Sequence, residues 1–193
     1  MKYWSSALGI LILAVVAIVL IGTRSTGDSS GSSTGTKKSK PGIVKLLDYE
    51  NKDASLSVTV QGTLVGDDQR RAIRITITPE DRGVEELHGY DQAVVRSQHY
   101  KNTQSGYEEF LRAVNYSGFI TKRTSNLADE RGVCPFGQTY IYDLIDNNDQ
   151  VSHLWGNSCS AALGTFAGNG PAIRQLFQNQ ITDYVNFSST VQL

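Results

Sequence analysis

Residues 55–65 read Ser-Leu-Ser-Val-Thr-Val-Gln-Gly-Thr-Leu-Val, and residues 72–78 read Ala-Ile-Arg-Ile-Thr-Ile-Thr. In the first stretch Leu56, Val58, Val60 and Leu64 fall on one side, and Ser57, Thr59, Gln61 and Thr63 on the other. In the second, Ile73, Ile75 and Ile77 alternate with Arg74, Thr76 and Thr78. Period-two alternation with polar partners marks a strand with one buried face and one wet face. Gly66-Asp67-Asp68-Gln69 between them is turn material, and Pro79 ends the second run because it cannot donate to a ladder. The two runs predict an antiparallel hairpin.

Towards the C-terminus the same reading extends the sheet. Residues 80–90 are polar and acidic and are expected to form a loop, and residues 93–100 a third long strand. Ser105 with Glu108 three residues on has the spacing of a capping box. Tyr107, Phe110, Leu111 and Val114 then recur at helical spacing, and Gly118 stands where a left-handed cap is needed. Residues 139–145 and 150–155 flank Asp146-Asn147-Asn148-Asp149 as a second hairpin, with Val151, His153 and Trp155 expected on one face and His153 as a hydrogen-bonded core residue. Pro171 suits the first position of a second helix, whose stripe is Ile173, Leu176, Phe177 and Ile181. Residues 43–47 are expected as an opening strand and the tail from Tyr184 as a last edge strand. Strands, helix, strands, helix, joined by hairpins, imply an α+β fold: one antiparallel sheet of about five to seven strands with two main helices packed on one face.

Towards the N-terminus the composition changes. Residues 3–22 carry no charge, and residues 7–21 hold only Ala, Leu, Ile, Val and one Gly. At roughly 1.5 Å per residue, about 20 residues of helix match a bilayer's hydrocarbon core. A cleaved secretory signal would have a shorter apolar core and end in small residues, whereas this run ends Val19-Leu20-Ile21-Gly22. The expectation is an uncleaved transmembrane signal anchor over 1–22 and a flexible Ser/Gly/Lys linker over 23–42. An extracytoplasmic domain over 43–193 follows, long enough for its own core. Counting Lys2 and the terminal amine against Arg24, with Lys37, Lys38 and Lys40 further out, slightly favours the opposite orientation. The spacer and the cysteine pair favour a domain outside the cytoplasm, in a single-pass arrangement at the cell membrane.

The formal net charge of −1 is unevenly spread. Residues 1–40 carry five Lys/Arg against one Asp, and residues 41–193 thirteen against eighteen Asp/Glu. An acidic domain argues against nucleic-acid binding, which needs a basic surface. Cys134 and Cys159 are the only cysteines and flank the second hairpin. A turn at Asn147-Asn148 brings such flanks together, and an exported pair is read as a disulfide. Two cysteines without matching histidines make poor zinc ligands. Asp143, Asp146, Asn148 and Asp149 lack the Gly and distal Glu of a calcium loop. The pairs Glu85-Glu86, Glu108-Glu109 and Asp129-Glu130 are read as solvated charges, not as a glycosidase couple. No hydrolase motif accompanies His88, His99 or His153. No catalytic, metal or cofactor residue is therefore assigned.

The C-terminal half reads Cys134-Pro135-Phe136-Gly137, Tyr140-Ile141-Tyr142-Asp143-Leu144, Leu154-Trp155, Cys159, Gly164-Thr165-Phe166 and Leu176-Phe177-Gln178-Asn179-Gln180-Ile181. This resembles a group of uncharacterised single-pass exported proteins of candidate-phyla bacteria. The resemblance implies a membrane-anchored extracytoplasmic domain and carries no catalytic residues.

Three functions fit these features: a binding or interaction module for an envelope or surface protein or glycan, an envelope hydrolase acting on peptidoglycan, glycan or peptide, or a subunit of a membrane assembly. A hydrolase would need a polar cleft holding His99 or His153 beside Ser, Asp or Glu. The anchor makes its own prediction. The mature protein should keep Met1 or Lys2 at its N-terminus and sediment with membranes after carbonate washing. A mature N-terminus near Thr23 would contradict it.

Overall fold

In the computed structural model, residues 44–159 and 163–193 are described, and the expected anchor and linker lie outside them. Six strands form one antiparallel sheet: β1 (Ala54–Gln61), β2 (Arg71–Ile77), β3 (Asp81–His88), β4 (Ala93–Lys101), β5 (Thr139–Asp146) and β6 (Asp149–Asn157), in the order β4-β3-β2-β1-β5-β6. Among the described residues three α-helices complete the α+β fold: α1 (Gln104–Tyr116), α2 (Gly170–Gln178) and α3 (Tyr184–Ser188). Among the described residues no helix is long and apolar enough to cross a membrane.

The apolar alternation sets which face is covered. Val58 pairs with Ile75 on one side and Tyr142 on the other; Ile75 pairs with Val84 and Tyr142 with Leu154. All five are buried in one cluster with Tyr107, Phe110, Leu111 and Val114 of α1 and Ile173 and Phe177 of α2. Helices therefore cover one face of the sheet, and the hydroxyl-bearing positions of β1 point to the other. Aromatic rings tie the layers together. Phe177 meets Phe110 edge-on with centroids 4.9 Å apart and stacks on Phe119 at 5.7 Å; Tyr142 stacks on Phe166 at 4.0 Å. The Tyr107 hydroxyl donates to the Ala54 carbonyl at 3.1 Å, which satisfies a polar group that burial would otherwise penalise.

Several elements differ from the sequence expectation. Residues 80–90 are not a loop, because β3 occupies Asp81–His88. Its charges read as solvent-facing, yet each meets a cation directly across the ladder: Glu85 faces Arg74, and Glu86 faces Arg96. The expected opening strand at 43–47 is a 3-10 turn, Leu46–Tyr49, whose Leu46 enters the core, while residue 43 lies outside the described residues. Strand β1 ends at Gln61, so Leu64 stands exposed beyond it. Helix α1 starts one residue before Ser105, and its cap is Thr103, which accepts from the Gly106 amide at 3.1 Å. Glu108 instead accepts from Gln104 at 3.0 Å. The tail is the short helix α3, entered through Asp183 at φ 59°, which lets Phe187 and Val191 face the core four residues apart.

The second hairpin turns at Asn147 and Asn148, both at positive φ, as a tight two-residue connection requires. Cys134 and Cys159 are bonded, with Cα atoms 5.8 Å apart, as the hairpin register implies. The bridge closes the open end of the hairpin, and Gly137 makes room for it. A Cβ there would stand 2.6 Å from the Cys134 sulfur and 3.3 Å from that of Cys159, and would also meet the Ser158 hydroxyl. Gly137→Ala should cost about 1–3 kcal/mol by overpacking, measured by denaturant unfolding of the oxidised protein. The cost should shrink in a Cys134→Ser, Cys159→Ser background. An equal cost in both backgrounds would mean that the sulfurs are not what Gly137 accommodates.

Candidate functional site

The strand register draws one line of residues straight across the uncovered face. His99 of β4 pairs with Gly83 of β3, Gly83 with Thr76 of β2, Thr76 with Ser57 of β1, Ser57 with Asp143 of β5, and Asp143 with His153 of β6. The next row on this face is Ser97, Glu85, Arg74, Thr59, Ile141 and Trp155. With strands about 4.8 Å apart, each row runs about 24 Å from edge to edge. All members of these rows except Ser97 and Trp155 line a hollow of about 460 Å³, whose margin also includes Ile145.

Ser57 and Thr59 form its floor and are only 8% and 4% exposed. Neither hydroxyl, nor that of Thr76, has a hydrogen-bond partner among the described residues. Both would normally be paired in a settled interior, yet here they open into the hollow. Gly83 is a strand-interior glycine with a visible use. A Cβ would lie 3.1 Å from two atoms of the His99 ring, so the imidazole leans across a position that has no side chain.

Charged groups stand around this floor in pairs. Arg74 holds Glu85 through Nε at 2.8 Å and a terminal nitrogen at 2.7 Å. The His99 Nδ1 lies 2.7 Å from Asp81 Oδ2. At the opposite edge the His153 Nδ1 lies 2.6 Å from Asp143 Oδ1, and its Nε2 lies 3.5 Å from Glu130 Oε2. Gln150 donates to the same Asp143 oxygen at 3.0 Å. Glu130 comes from the segment between α1 and β5, four residues before disulfide-bonded Cys134.

The hydrogen bond to Asp143 raises the His153 pKa to about 9; partial burial opposes this, and the charges of Asp143 and Glu130 add to it. The ring is thus an imidazolium at neutral pH, with both nitrogens donating to carboxylates. It is not a free base, and Ser57 lies two strands away from it. A nucleophile–base contact of about 2.6–3.2 Å, the first requirement of triad chemistry, is not formed here.

The expectation of a core histidine at position 153 is corrected. Its side chain is about one-third exposed on the open face, whereas Val151 packs towards the core, displaced by a bulge at Leu144/Ile145. His88 sits apart, bonded to Glu86 at 2.9 Å beside Arg96 and Phe187. Glu85 and Glu86, adjacent in sequence, point to opposite faces. Asp129 pairs with Arg131 while Glu130 turns to His153, so neither pair of acids is a couple. Among the described residues no group of three His, Cys, Asp or Glu is arranged to hold a metal ion. Sequence reasoning missed the row because β3 read as a loop. The available signal was the unbroken Ser/Thr series on one face of β1.

The His153 pairs have a pH signature. Because the folded state holds the imidazole proton more tightly than the unfolded chain, the stabilisation is complete below the ordinary value of 6.5. It fades as pH rises through about 9. Histidine NMR titration should place one ring near 9, and Asp143→Asn should bring it down towards 6.5. A wild-type ring titrating near 6.5 would contradict the geometry. No known protein-family model matches the chain, and no curated protein sequence matches it, so its function is read from this geometry.

Proposed function

We propose that the chain is a membrane-anchored binding module. Residues 3–22 hold it in the bilayer, residues 23–42 act as a tether, and the domain presents the open face of its sheet outside the cytoplasm. The observation that carries this reading is the hollow crossed by two registered rows, floored by the unpartnered hydroxyls of Ser57 and Thr59. Convergent polar groups in a concave surface are the physical form of a recognition site. The Cys134–Cys159 bond supports an oxidising compartment, and the charge-free N-terminal run supports the anchor. The bacterial single-pass resemblance agrees with both. The partner is an envelope or surface component, not nucleic acid.

An envelope hydrolase is the second reading, favoured by the His99–Asp81 pair at 2.7 Å, in which Asp81 orients the ring as an acid orients a catalytic base. It is the weaker reading because the other histidine on this face is held as a cation and, among the described residues, no hydroxyl is hydrogen-bonded to either ring.

The full chain in lipid nanodiscs should be retained on isolated bacterial cell-wall material. Thr76→Arg, which puts a long side chain into the middle of the row, should reduce retention at least tenfold while leaving circular dichroism and melting unchanged. Equal retention of a folded variant would contradict the binding reading. Hydrolysis of the wall material, lost in His99→Gln, would establish the second reading instead.

A further inference from the structure

We infer that the hollow takes a glycan bearing free amino groups, a chain of amino sugars whose hydroxyls and ammonium groups are all hydrogen-bond donors. This rests on the binding reading above and names its ligand class.

The first observation is a surplus of acceptors. Four carboxylates line the hollow, Asp81, Glu85, Glu130 and Asp143. Each has one oxygen engaged: Asp81 Oδ2 by His99, Glu85 Oε2 by Arg74, Glu130 Oε2 by His153, and Asp143 Oδ1 by His153 and Gln150. The second oxygen of each has no partner among the described residues. Carboxylate oxygens accept and never donate when ionised, so a complementary ligand must bring donors.

The second observation is charge. Four carboxylates face two fixed cations, Arg74 and the His153 imidazolium, and even a charge on His99 would leave the carboxylates in excess. Phosphorylated or carboxylated polymers are repelled by this field, whereas an ammonium group is attracted.

The third observation is independent of the acids. Ser57 and Thr59 are each more than nine-tenths buried, and their hydroxyls, unpartnered among the described residues, line the hollow. A hydroxyl both donates and accepts, and its natural counterpart is another hydroxyl. A lysine side chain supplies an ammonium group at the end of an apolar stem and would leave this floor unsatisfied. A neutral sugar chain would satisfy the floor but not the charge. An amino sugar does both.

Shape sets the size. The hollow continues past Gln92 and Glu130 into a second of about 430 Å³, bordered by Tyr90, Arg70 and Arg131, so the carboxylate excess, and with it the place for the ammonium groups, belongs to the first hollow, while the second offers room for neutral sugar hydroxyls. Tyr90 is half exposed there, its hydroxyl fixed to the Val65 carbonyl at 2.8 Å. The site is an elongated groove, matched to an oligomer.

The test is a titration of the full chain in nanodiscs with tetramers of glucosamine, N-acetylglucosamine and lysine. The glucosamine tetramer should bind at least tenfold more tightly than either of the others and weaken with added salt. Thr59→Val removes a hydroxyl that has no partner in the free protein. It should leave melting unchanged and reduce glucosamine binding by about five- to tenfold, the worth of one hydrogen bond. Equal binding of the acetylated tetramer would overturn the charge argument, and tighter binding of the lysine tetramer would make the ligand a basic peptide. If no tetramer binds while the wall material is still retained, the ligand class is wrong and the binding face stands. If neither binds, both readings fall.

Discussion

The pairing of Val58 with Ile75 and Tyr142 is the constraint on which the rest of the structure depends. These side chains are buried beneath α1 and α2, and a one-residue slip on either side of β1 would put Ser57 or Thr59 into that core. Leaving a hydroxyl unpaired in an apolar core costs about 1–3 kcal/mol each, so the register is held by the cost of its alternatives as much as by its own contacts. Once it is held, alternation places Ser57 and Thr59 on the far face and brings Thr76, Gly83, Asp143 and both edge histidines into line with them. The apolar rows under the helices and the polar rows in the groove are one decision read from two sides.

The disulfide and the loops add what the sheet alone does not supply. The segment between α1 and β5 has no helix or strand of its own. It is held by the Cys134–Cys159 bond, by the Leu64 amide donating to the Pro135 carbonyl at 2.8 Å, and by pairing of Lys122 with Phe166. That support places Glu130 at the His153 ring and closes one side of the groove. Buried residues outside the main core, Ala72, Leu87, Ile141 and Trp155, give this side of the sheet its own apolar support. The groove thus has a floor made by register and a wall made by a pinned loop, the preorganisation that the proposed binding role calls for.

Much of this was legible in residue order. The alternation in β1 and β2, the stripe Tyr107, Phe110, Leu111 and Val114, the asparagine turn and the cysteine spacing each report a local physical preference, and each reappears in the structure. Strand β3 was not legible, because its identity lies in cross-strand partners. Glu85 and Glu86 look solvated until Arg74 and Arg96 arrive from strands ten or more residues away. The same holds for His153. A histidine between Val151 and Trp155 reads as a core residue by simple alternation, but His153 and Trp155 share the face away from the helices, and the bulge at Leu144/Ile145 turns only Val151 towards the core. The row across the open face was invisible for a related reason: its six members come from six strands, and only the register brings them together.

The central claim is that the uncovered sheet face, and no other surface of the domain, receives the ligand. Amide chemical-shift mapping of the isotope-labelled full chain in nanodiscs, with solubilised cell-wall glycan added, tests it most directly. The account predicts shifts that trace the row from His99 through Gly83, Thr76, Ser57 and Asp143 to His153, with the exposed positions of α1 and α2 unmoved. Shifts confined to the helical face, or to residues beyond the groove, would contradict it.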